Sequence, residues 1–190
     1  MYDQYEGLIF DMDGTLLDTE STHRKAWHQV LKRYDMQFDE AAMVSLNGSP
    51  TWLVAKTIID TYRSTLDPHL LAREKTEVAQ AMLFDEVRPL PLVSLVKHYH
   101  GKRPMAVGTG SEHRLAVSLL DHLGLLSYFD AVVGADDVSR HKPHPETFLK
   151  CAELLRVRPE RCVVFEDADF GVMAARSASM ACVDVRIAHW

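Results

Sequence analysis

The stretch Gly7-Leu8-Ile9-Phe10-Asp11-Met12-Asp13-Gly14-Thr15 decides how the rest of this sequence is interpreted. Its apolar half, Gly7 to Phe10, predicts a short buried strand. Two carboxylates, Asp11 and Asp13, follow at once, and a buried charge is costly unless it is paired or binds a metal. We therefore expect both to lie at the open end of a sheet, where water, a cation or a substrate reaches them. The alternative is a plain turn, in which Asp13-Gly14 only ends the strand.

Length, composition and charge exclude several classes of protein. The 190 residues are enough for one or two small domains, and 47% apolar with 25% charged residues is typical of a globular protein. A formal charge of -6 without a basic run argues against a nucleic-acid partner. No apolar run approaches the ~20 residues that span a bilayer, so we expect no membrane contact. Three cysteines without close pairs (Cys151, Cys162 and Cys182) favour a reducing cytoplasm over a disulfide framework.

Residues 17–86 predict consecutive helices with no strand between them. Apolar residues recur there at helical spacing, for example at Trp27, Val30 and Leu31. Asp67-Pro68 is typical of a helix start, with the proline at the first helical position.

From Gly101 onward, predicted strands and helices alternate, which is typical of a parallel sheet with crossover helices. The predicted strands are Pro104 to Val107, Phe129 to Val133, Cys162 to Phe165 and Ala181 to Val185. Together with Gly7 to Phe10 they make an α/β fold with a Rossmann-like, five-stranded parallel sheet. We expect residues 1–16 and 87–190 to form this core domain, and residues 17–86 to be a helical domain inserted after the first strand.

Polar side chains gather where the predicted strands end. In open parallel sheets, ligands bind in the crevice beyond the carboxyl ends of the strands. Separate stretches bring polar groups to this edge: Asp11, Asp13, Thr109, Lys142, Glu166 and Asp167.

The chemistry of that edge follows from its charges. Two carboxylates ~4 Å apart repel by about 4 kcal/mol at an effective dielectric of ~20, and a divalent cation offsets this repulsion. Oxygen ligands alone point to Mg²⁺. With a lysine and a hydroxyl added, the set suits phosphoryl transfer. One carboxylate of the Asp11/Asp13 pair can attack phosphorus and form an aspartyl phosphate, while the other moves protons. Gly14 lets the backbone turn close to the phosphate.

Four motifs, in order, carry a family resemblance: Asp11-Met12-Asp13-Gly14-Thr15, Thr109 in Val107-Gly108-Thr109-Gly110-Ser111, Lys142-Pro143, and Glu166-Asp167. With them the chain resembles hydrolases of the haloacid dehalogenase superfamily, in the subfamily similar to β-phosphoglucomutase and sugar phosphatases. The resemblance covers almost the whole chain. One departure is Ser179, where relatives usually have glycine after the last helix.

The resemblance implies roles for individual residues. It makes Asp11 the nucleophile and Asp13 the general acid/base. It implies Mg²⁺ held by the Asp11 carboxylate, the Asp13 main-chain carbonyl and Asp167, with Glu166 adjacent to the metal. The residues that it implies for phosphate or substrate binding are Asp11, Met12, Asp13, Thr109, Gly110, Lys142, His23 and Lys75.

The helical insertion would then be the family's mobile cap, which closes over the site and reads the leaving group. His23 and Lys75 fall where relatives place substrate-facing residues, although a surface histidine and a solvated lysine are equally good interpretations. Asn47, Gly48 and Trp52 are further candidates for the specificity pocket, with packing inside the cap as the alternative for Trp52.

The resemblance implies a Mg²⁺-dependent phosphatase of small sugar phosphates, of the fructose-1-phosphate or 6-phosphogluconate type. One alternative is a β-phosphoglucomutase-like sugar phosphomutase. Another is a phosphoreceiver signalling domain, but the third predicted strand has no acid at its end and a receiver leaves the helical insertion unexplained. We expect a small sugar phosphate as the partner, a cytoplasmic location, and a monomer, with a dimer as the alternative.

Overall fold

The structure is a computed structural model that describes residues 2–43, 46 and 49–187. Its strands are β1 (Gly7–Phe10), β2 (Leu17–Asp18), β3 (Arg88–Pro89), β4 (Met105–Gly108), β5 (Ala131–Val133), β6 (Cys162–Glu166) and β7 (Ala181–Asp184). Its α-helices are α1 (Glu20–Leu31), α2 (Glu40–Met43), α3 (Thr51–Thr61), α4 (Pro68–Glu86), α5 (Val93–Tyr99), α6 (His113–His122), α7 (Glu146–Leu155) and α8 (Asp169–Ser177).

Five strands form one parallel sheet in the order β5-β4-β1-β6-β7, as the sequence predicts. β1 lies in the centre, and all four of its residues are buried because helices cover both faces of the sheet. Alternate side chains along β1 point to opposite faces. Leu8 and Phe10 join one apolar cluster, where Phe10 stacks on Phe165 with ring centroids 4.8 Å apart, and Ile9 joins the other cluster.

Four of the five strands deviate from the predicted bounds, three of them by one residue at one or both ends and β5 by two. The third strand of the sheet begins at Ala131 rather than at Phe129, because residues Leu126–Tyr128 form a short 3-10 helix first. The backbone N–H of Asp130 then donates to the carbonyl of Met105, and its carboxylate accepts from the Met105 N–H. These bonds lead the chain into register with β4.

Helices α1, α3 and α4 pack against one another around Trp27, Ile58 and Leu71. Asp67 caps α4 by accepting a hydrogen bond from the His69 N–H, with Pro68 in the first turn, as the sequence predicts. Within residues 2–43, 46 and 49–187, no helix is both long and apolar enough to cross a membrane.

The expectation of helices alone over residues 17–86 is wrong at its first two residues. Leu17 and Asp18 form β2, which pairs antiparallel with β3. The chain leaves the five-stranded sheet through β2 and returns through β3. Because these two strands are paired, their backbone N–H and C=O groups form hydrogen bonds with each other. A two-residue strand is too short to show any periodicity in the sequence.

Ser179 takes the place of a glycine at the end of α8. Its φ is 61°, in the left-handed region, and the Ser179 and Met180 N–H groups donate to the carbonyls of Arg176 and Ala175. This is the hydrogen-bond pattern of a Schellman C-cap, in which glycine is preferred because a Cβ is strained there. Helix α8 therefore ends at Ser177, with a strained residue at the turn that follows.

We predict that Ser179→Gly stabilises the fold. Relief of the left-handed strain outweighs the added freedom of the unfolded chain, and we expect the free energy of unfolding to rise by about 0.5–1 kcal/mol. Urea unfolding of the purified protein measures it. Ser177→Gly is the matched control, because Ser177 is the last helical residue of α8 and glycine there lowers stability. Equal loss of stability in both variants would contradict the prediction.

Candidate active site

The carboxyl ends of the three central strands meet at one edge of the sheet. Asp11 follows β1, Thr109 follows β4, and Glu166 is the last residue of β6 with Asp167 next to it. Because these strands are parallel neighbours, side chains more than 150 residues apart in sequence come together, as the hydrogen bond from Thr15 Oγ1 to Asp167 Oδ1 shows.

Three acids of this edge form a tight cluster. One carboxylate oxygen each from Asp11, Glu166 and Asp167 lies within 4.8 Å of the other two. Burial, and after it the charge of Glu166, raises the pKa of Asp11 well above its ordinary value, and the same two causes raise the pKa of Asp167 to about 7. Ionisation of all three acids is therefore unfavourable without a cation. A set of carboxylate oxygens of this kind fits a hard divalent cation.

Gly14 makes room for this cluster. Its φ is +80°, and a Cβ at this position would lie 2.3 Å from Asp167 Oδ2. The close approach that requires a glycine here is therefore to a carboxylate of the acid cluster, where the sequence predicted an approach to a phosphate.

Lys142 lies behind the cluster and joins two of its members. Its Nζ donates hydrogen bonds to Asp11 Oδ1 at 2.6 Å and to Glu166 Oε2 at 2.7 Å, and the residue is 3% exposed. Burial lowers the pKa of Lys142, but the charges of the two carboxylates outweigh it and hold this pKa above its ordinary value. The lysine is thus a fixed cation beside the Asp11 carboxylate.

Asp13 is turned away from the cluster toward a set of hydroxyl groups. Its Oδ1 accepts from Thr19 Oγ1 at 2.7 Å, and its Oδ2 accepts from Ser111 Oγ at 2.8 Å and from Thr109 Oγ1 at 3.1 Å. Burial acts to raise the pKa of Asp13, but the nearby His23 ring and these donors outweigh it, so this pKa lies well below its usual range. Asp13 is therefore ionised, and the hydrogen bonds from its neighbours fix the orientation of its carboxylate.

His23 and Lys75 form a pair above Asp13. Lys75 Nζ lies 2.8 Å from His23 Nδ1, and because an ammonium only donates, the ring proton sits on Nε2. That Nε2 lies 3.6 Å from Asp13 Oδ1. Burial lowers the pKa of Lys75 to about 8, and burial and the Lys75 charge lower the pKa of His23. Lys75 is therefore not a solvated surface lysine.

These groups surround a cavity of about 160 Å³, which we call the first cavity. Predicted site residues on its wall are Asp11, Asp13, His23, Lys75, Gly110, Glu166 and Asp167. Three others lie behind the wall. Thr109 and Lys142 reach it through their hydrogen bonds, whereas the Met12 side chain is buried in the apolar core and offers the site only its main chain.

Several polar groups of the site are not predicted from the sequence. Ser111 and Thr19 hold Asp13, Thr15 holds Asp167, and Ser49 lies on the wall of the first cavity. Ser111 could have been found, because it stands two residues after Thr109 in the same loop. Thr19 had no comparable signal, since its position depends on how the insertion folds back.

Of the remaining candidates, Trp52 does not line the first cavity. Asn47 and Gly48 lie outside the residues that the structure describes. Trp52 is 37% exposed on α3 and stacks on His69 with ring centroids 5.7 Å apart, so it is not enclosed within the helices.

The parallel sheet, with acids and a lysine at its carboxyl edge, defines a class of α/β hydrolases. A family model described as haloacid dehalogenase-like hydrolase matches residues 5–179, and the chain belongs to this family. It is 64% identical over 187 residues to "Fructose-1-phosphate phosphatase YqaB" from Escherichia coli, covering 98% of this chain and 100% of the relative. It is 34% identical to "Phosphorylated carbohydrates phosphatase" from Thermotoga maritima, covering 92% and 82%.

Among solved structures, the β-phosphoglucomutase of Clostridium difficile superposes with a TM-score of 0.84 at 30% identity, covering 94% of this chain and 83% of that one. The fold and subfamily that the motifs imply are thus confirmed. The family and the 64% identical phosphatase place this chain among phosphoric monoester hydrolases.

Proposed function

We propose that the protein is a Mg²⁺-dependent phosphatase of small sugar phosphates that works through an aspartyl phosphate on Asp11. The observation that carries the proposal is the acid cluster closed by Lys142: three carboxylates within 4.8 Å and a buried ammonium 2.6 Å from Asp11 Oδ1. The 64% identity to a protein named as a fructose-1-phosphate phosphatase supports a sugar phosphate as the substrate.

Asp11 would attack the phosphorus atom with the carboxylate oxygen that Lys142 leaves free. Lys142 keeps the Asp11 carboxylate oriented and neutralises part of the negative charge that gathers at the cluster. Asp11, Asp167 and the Asp13 main-chain carbonyl would hold Mg²⁺, with Glu166 beside it, and the bound ion would neutralise further negative charge at the phosphoryl group. The bond from phosphorus to the sugar oxygen breaks as the aspartyl phosphate forms, and water then hydrolyses this acyl phosphate to inorganic phosphate and the free Asp11 carboxylate.

Asp13 would give a proton to the leaving oxygen and later take one from water. In its present hydrogen bonds it is a carboxylate, since its pKa is held low. A phosphoryl group entering beside it brings negative charge, which raises the pKa of a neighbouring acid and favours the protonated form that donation requires. The main chain at Met12 and Gly110, with Thr109, would bind the phosphoryl oxygens.

The helical insertion would recognise the sugar. Ser49 supports this, because it lines the first cavity and its buried Oγ has no hydrogen-bond partner in the described part of the chain. Such a hydroxyl is costly to leave unpaired, and a sugar hydroxyl would satisfy it. His23 and Lys75 would contact the same end of the substrate.

Several further assignments belong to this proposal. Residues 1–16 and 87–190 would be the core domain and residues 17–86 the cap. Fructose 1-phosphate is the first substrate to test, with 6-phosphogluconate as the second. We infer a cytoplasmic monomer, with a dimer as the alternative, acting on small molecules without nucleic acid or membrane.

A sugar phosphomutase remains the second candidate, because a β-phosphoglucomutase is among the structures with the same fold at 30% identity. Both activities would use the aspartyl phosphate on Asp11, and they differ in whether water or a sugar hydroxyl accepts the phosphoryl group. Membership of a hydrolase family argues against a function as a signalling receiver domain.

Phosphate release from a panel of sugar phosphates, with and without Mg²⁺, tests the proposal. We expect inorganic phosphate from fructose 1-phosphate, and a loss of at least about 100-fold when Mg²⁺ is removed by a chelator, since the acids of the cluster then repel the substrate unopposed. Adding Mg²⁺ back is the control. Isomerised sugar phosphates without phosphate release would indicate the mutase, and full activity in the chelator would refute the metal requirement.

A further inference from the structure

The buried ammonium of Lys142 has more N–H donors than oxygen acceptors. An ammonium carries three N–H donors, and in the described part of the chain Nζ donates two hydrogen bonds, to Asp11 Oδ1 and to Glu166 Oε2. Because Lys142 is buried, water has little access to the third donor. A buried donor without an acceptor is costly, so the third N–H of this ammonium needs a partner from the fold.

The face of the Phe148 ring is the remaining partner of this ammonium. Lys142 Nζ lies over the ring, 4.7 Å from its centroid, which is within the ~6 Å at which an aromatic face attracts a cation. Phe148 is fully buried on α7 and is not part of the wall of the first cavity. The ring therefore contacts the lysine of the site without bordering the space for the substrate.

Close packing of α7 against β4 fixes the position of the ring. A Cβ at Gly108, the last residue of β4, would lie 3.2 Å from Phe148 Cδ1 and 2.9 Å from Cys151 Sγ. The glycine thus lets α7 approach the strand so closely that the ring has little room to move. Since the ring and the ammonium are both buried, their attraction is at the strong end of the range for such pairs.

We propose that Phe148 is a positioning residue, whose ring face holds the Lys142 ammonium in the orientation that occupies Asp11 Oδ1 and leaves the other carboxylate oxygen free to attack phosphorus. The two carboxylates fix two of the three N–H directions, and the ring fixes the third. Without the ring, Nζ is free to shift toward the acids, and a displacement of about 1 Å near the reacting atoms costs up to about 100-fold in rate. The inference rests on the proposed phosphatase activity.

Replacement of Phe148 by 3,4,5-trifluorophenylalanine tests the inference with little change in shape. Fluorine withdraws electrons from the ring face and so weakens its attraction for a cation. We expect kcat to fall about tenfold and KM to change less than about twofold, because the ring contacts Lys142 and not the substrate. Rings with one and two fluorines should give intermediate losses. Phe148→Leu, which removes the ring face, should lose at least as much.

The Lys142→Met background is the control, because it keeps the shape of the ring's surroundings and removes the cation. The trifluorinated ring should lower the melting temperature by about 4 °C more in the wild-type background than in Lys142→Met. It should also leave the remaining kcat of Lys142→Met unchanged within about twofold. Any effect of the larger fluorine atoms on packing appears in both backgrounds and cancels.

Three results would overturn the inference while leaving the phosphatase intact: equal melting shifts in both backgrounds, a loss of activity carried by KM alone, or an unchanged kcat with every fluorinated ring. The melts need no substrate, so they test the contact between the ring and Lys142 separately from catalysis. Failure of the wild type to release phosphate from every sugar phosphate would instead refute the proposed function, and with it the catalytic role of the ring.

Discussion

Asp11→Asn abolishes phosphate release in the proposed mechanism, with a loss of at least about 10⁴-fold in kcat, because an amide oxygen does not form the aspartyl phosphate on which turnover depends. The fold should survive. Asp11 is 4% exposed, and its charge lies in a cluster with Glu166 and Asp167. Replacing the charge with an amide relieves repulsion within the cluster, while the amide oxygen can still accept a hydrogen bond from Lys142.

A phosphate-release assay and a thermal melt on the same preparation measure both effects. We expect the melting temperature of Asp11→Asn in chelator to equal or exceed that of the wild type. Asp18→Asn is the control, since Asp18 is an exposed carboxylate at the start of the insertion. Activity of Asp11→Asn within about tenfold of the wild type would be incompatible with an aspartyl phosphate on Asp11.

Lys142→Met is the change with the largest expected effect on stability. The methionine fills a similar volume but leaves the Asp11 and Glu166 carboxylates buried without the ammonium that now lies 2.6 and 2.7 Å away. Removing one partner from a buried ionic network costs about 3–5 kcal/mol, which lowers the melting temperature by about 10 °C for a chain of this size. Activity falls as well, because the Asp11 carboxylate loses the group that orients it.

The loss of stability in Lys142→Met should depend on pH. Without the lysine, the folded protein holds protons on the buried acids more tightly than the unfolded chain does, so the pKa of Asp11 in the folded state rises further above its unfolded value. The deficit in unfolding free energy is therefore largest at neutral pH, and it shrinks as the pH falls and the acids take up protons.

Thermal melts from about pH 8 to about pH 5 measure this deficit, and Mg²⁺ should reduce it by binding the unpaired carboxylates. Lys97→Met, at an exposed lysine on α5, is the control. A stability of Lys142→Met equal to that of the wild type at neutral pH would contradict the prediction.

Local sequence patterns determined most of the fold and the chemical content of the site. The apolar run Gly7 to Phe10 is buried whatever its neighbours are, and the two acids after it must lie at a strand end because burial without a partner is too costly. The alternation of strands and helices after Gly101 fixes a parallel sheet. Asp67-Pro68 starts α4 through a hydrogen bond within one turn. Each of these signals depends on residues close together in the chain.

The partners of the acids were decided by the tertiary structure. Lys142 bridges residues that are 131 and 24 positions away, and no spacing rule states which carboxylates a lysine will join. Asp13 accepts hydrogen bonds from Thr19, in the insertion, and from Ser111, in the loop after β4, because the two segments meet at the edge of the sheet.

The pairing of Lys75 with His23, across 52 residues, likewise arises from how α1 and α4 pack. The sequence by itself determined which groups reach the edge of the sheet, since strand direction and burial are local properties. Only the tertiary structure decided which groups touch there, because long-range packing sets distances of a few ångströms between side chains that are far apart in the chain.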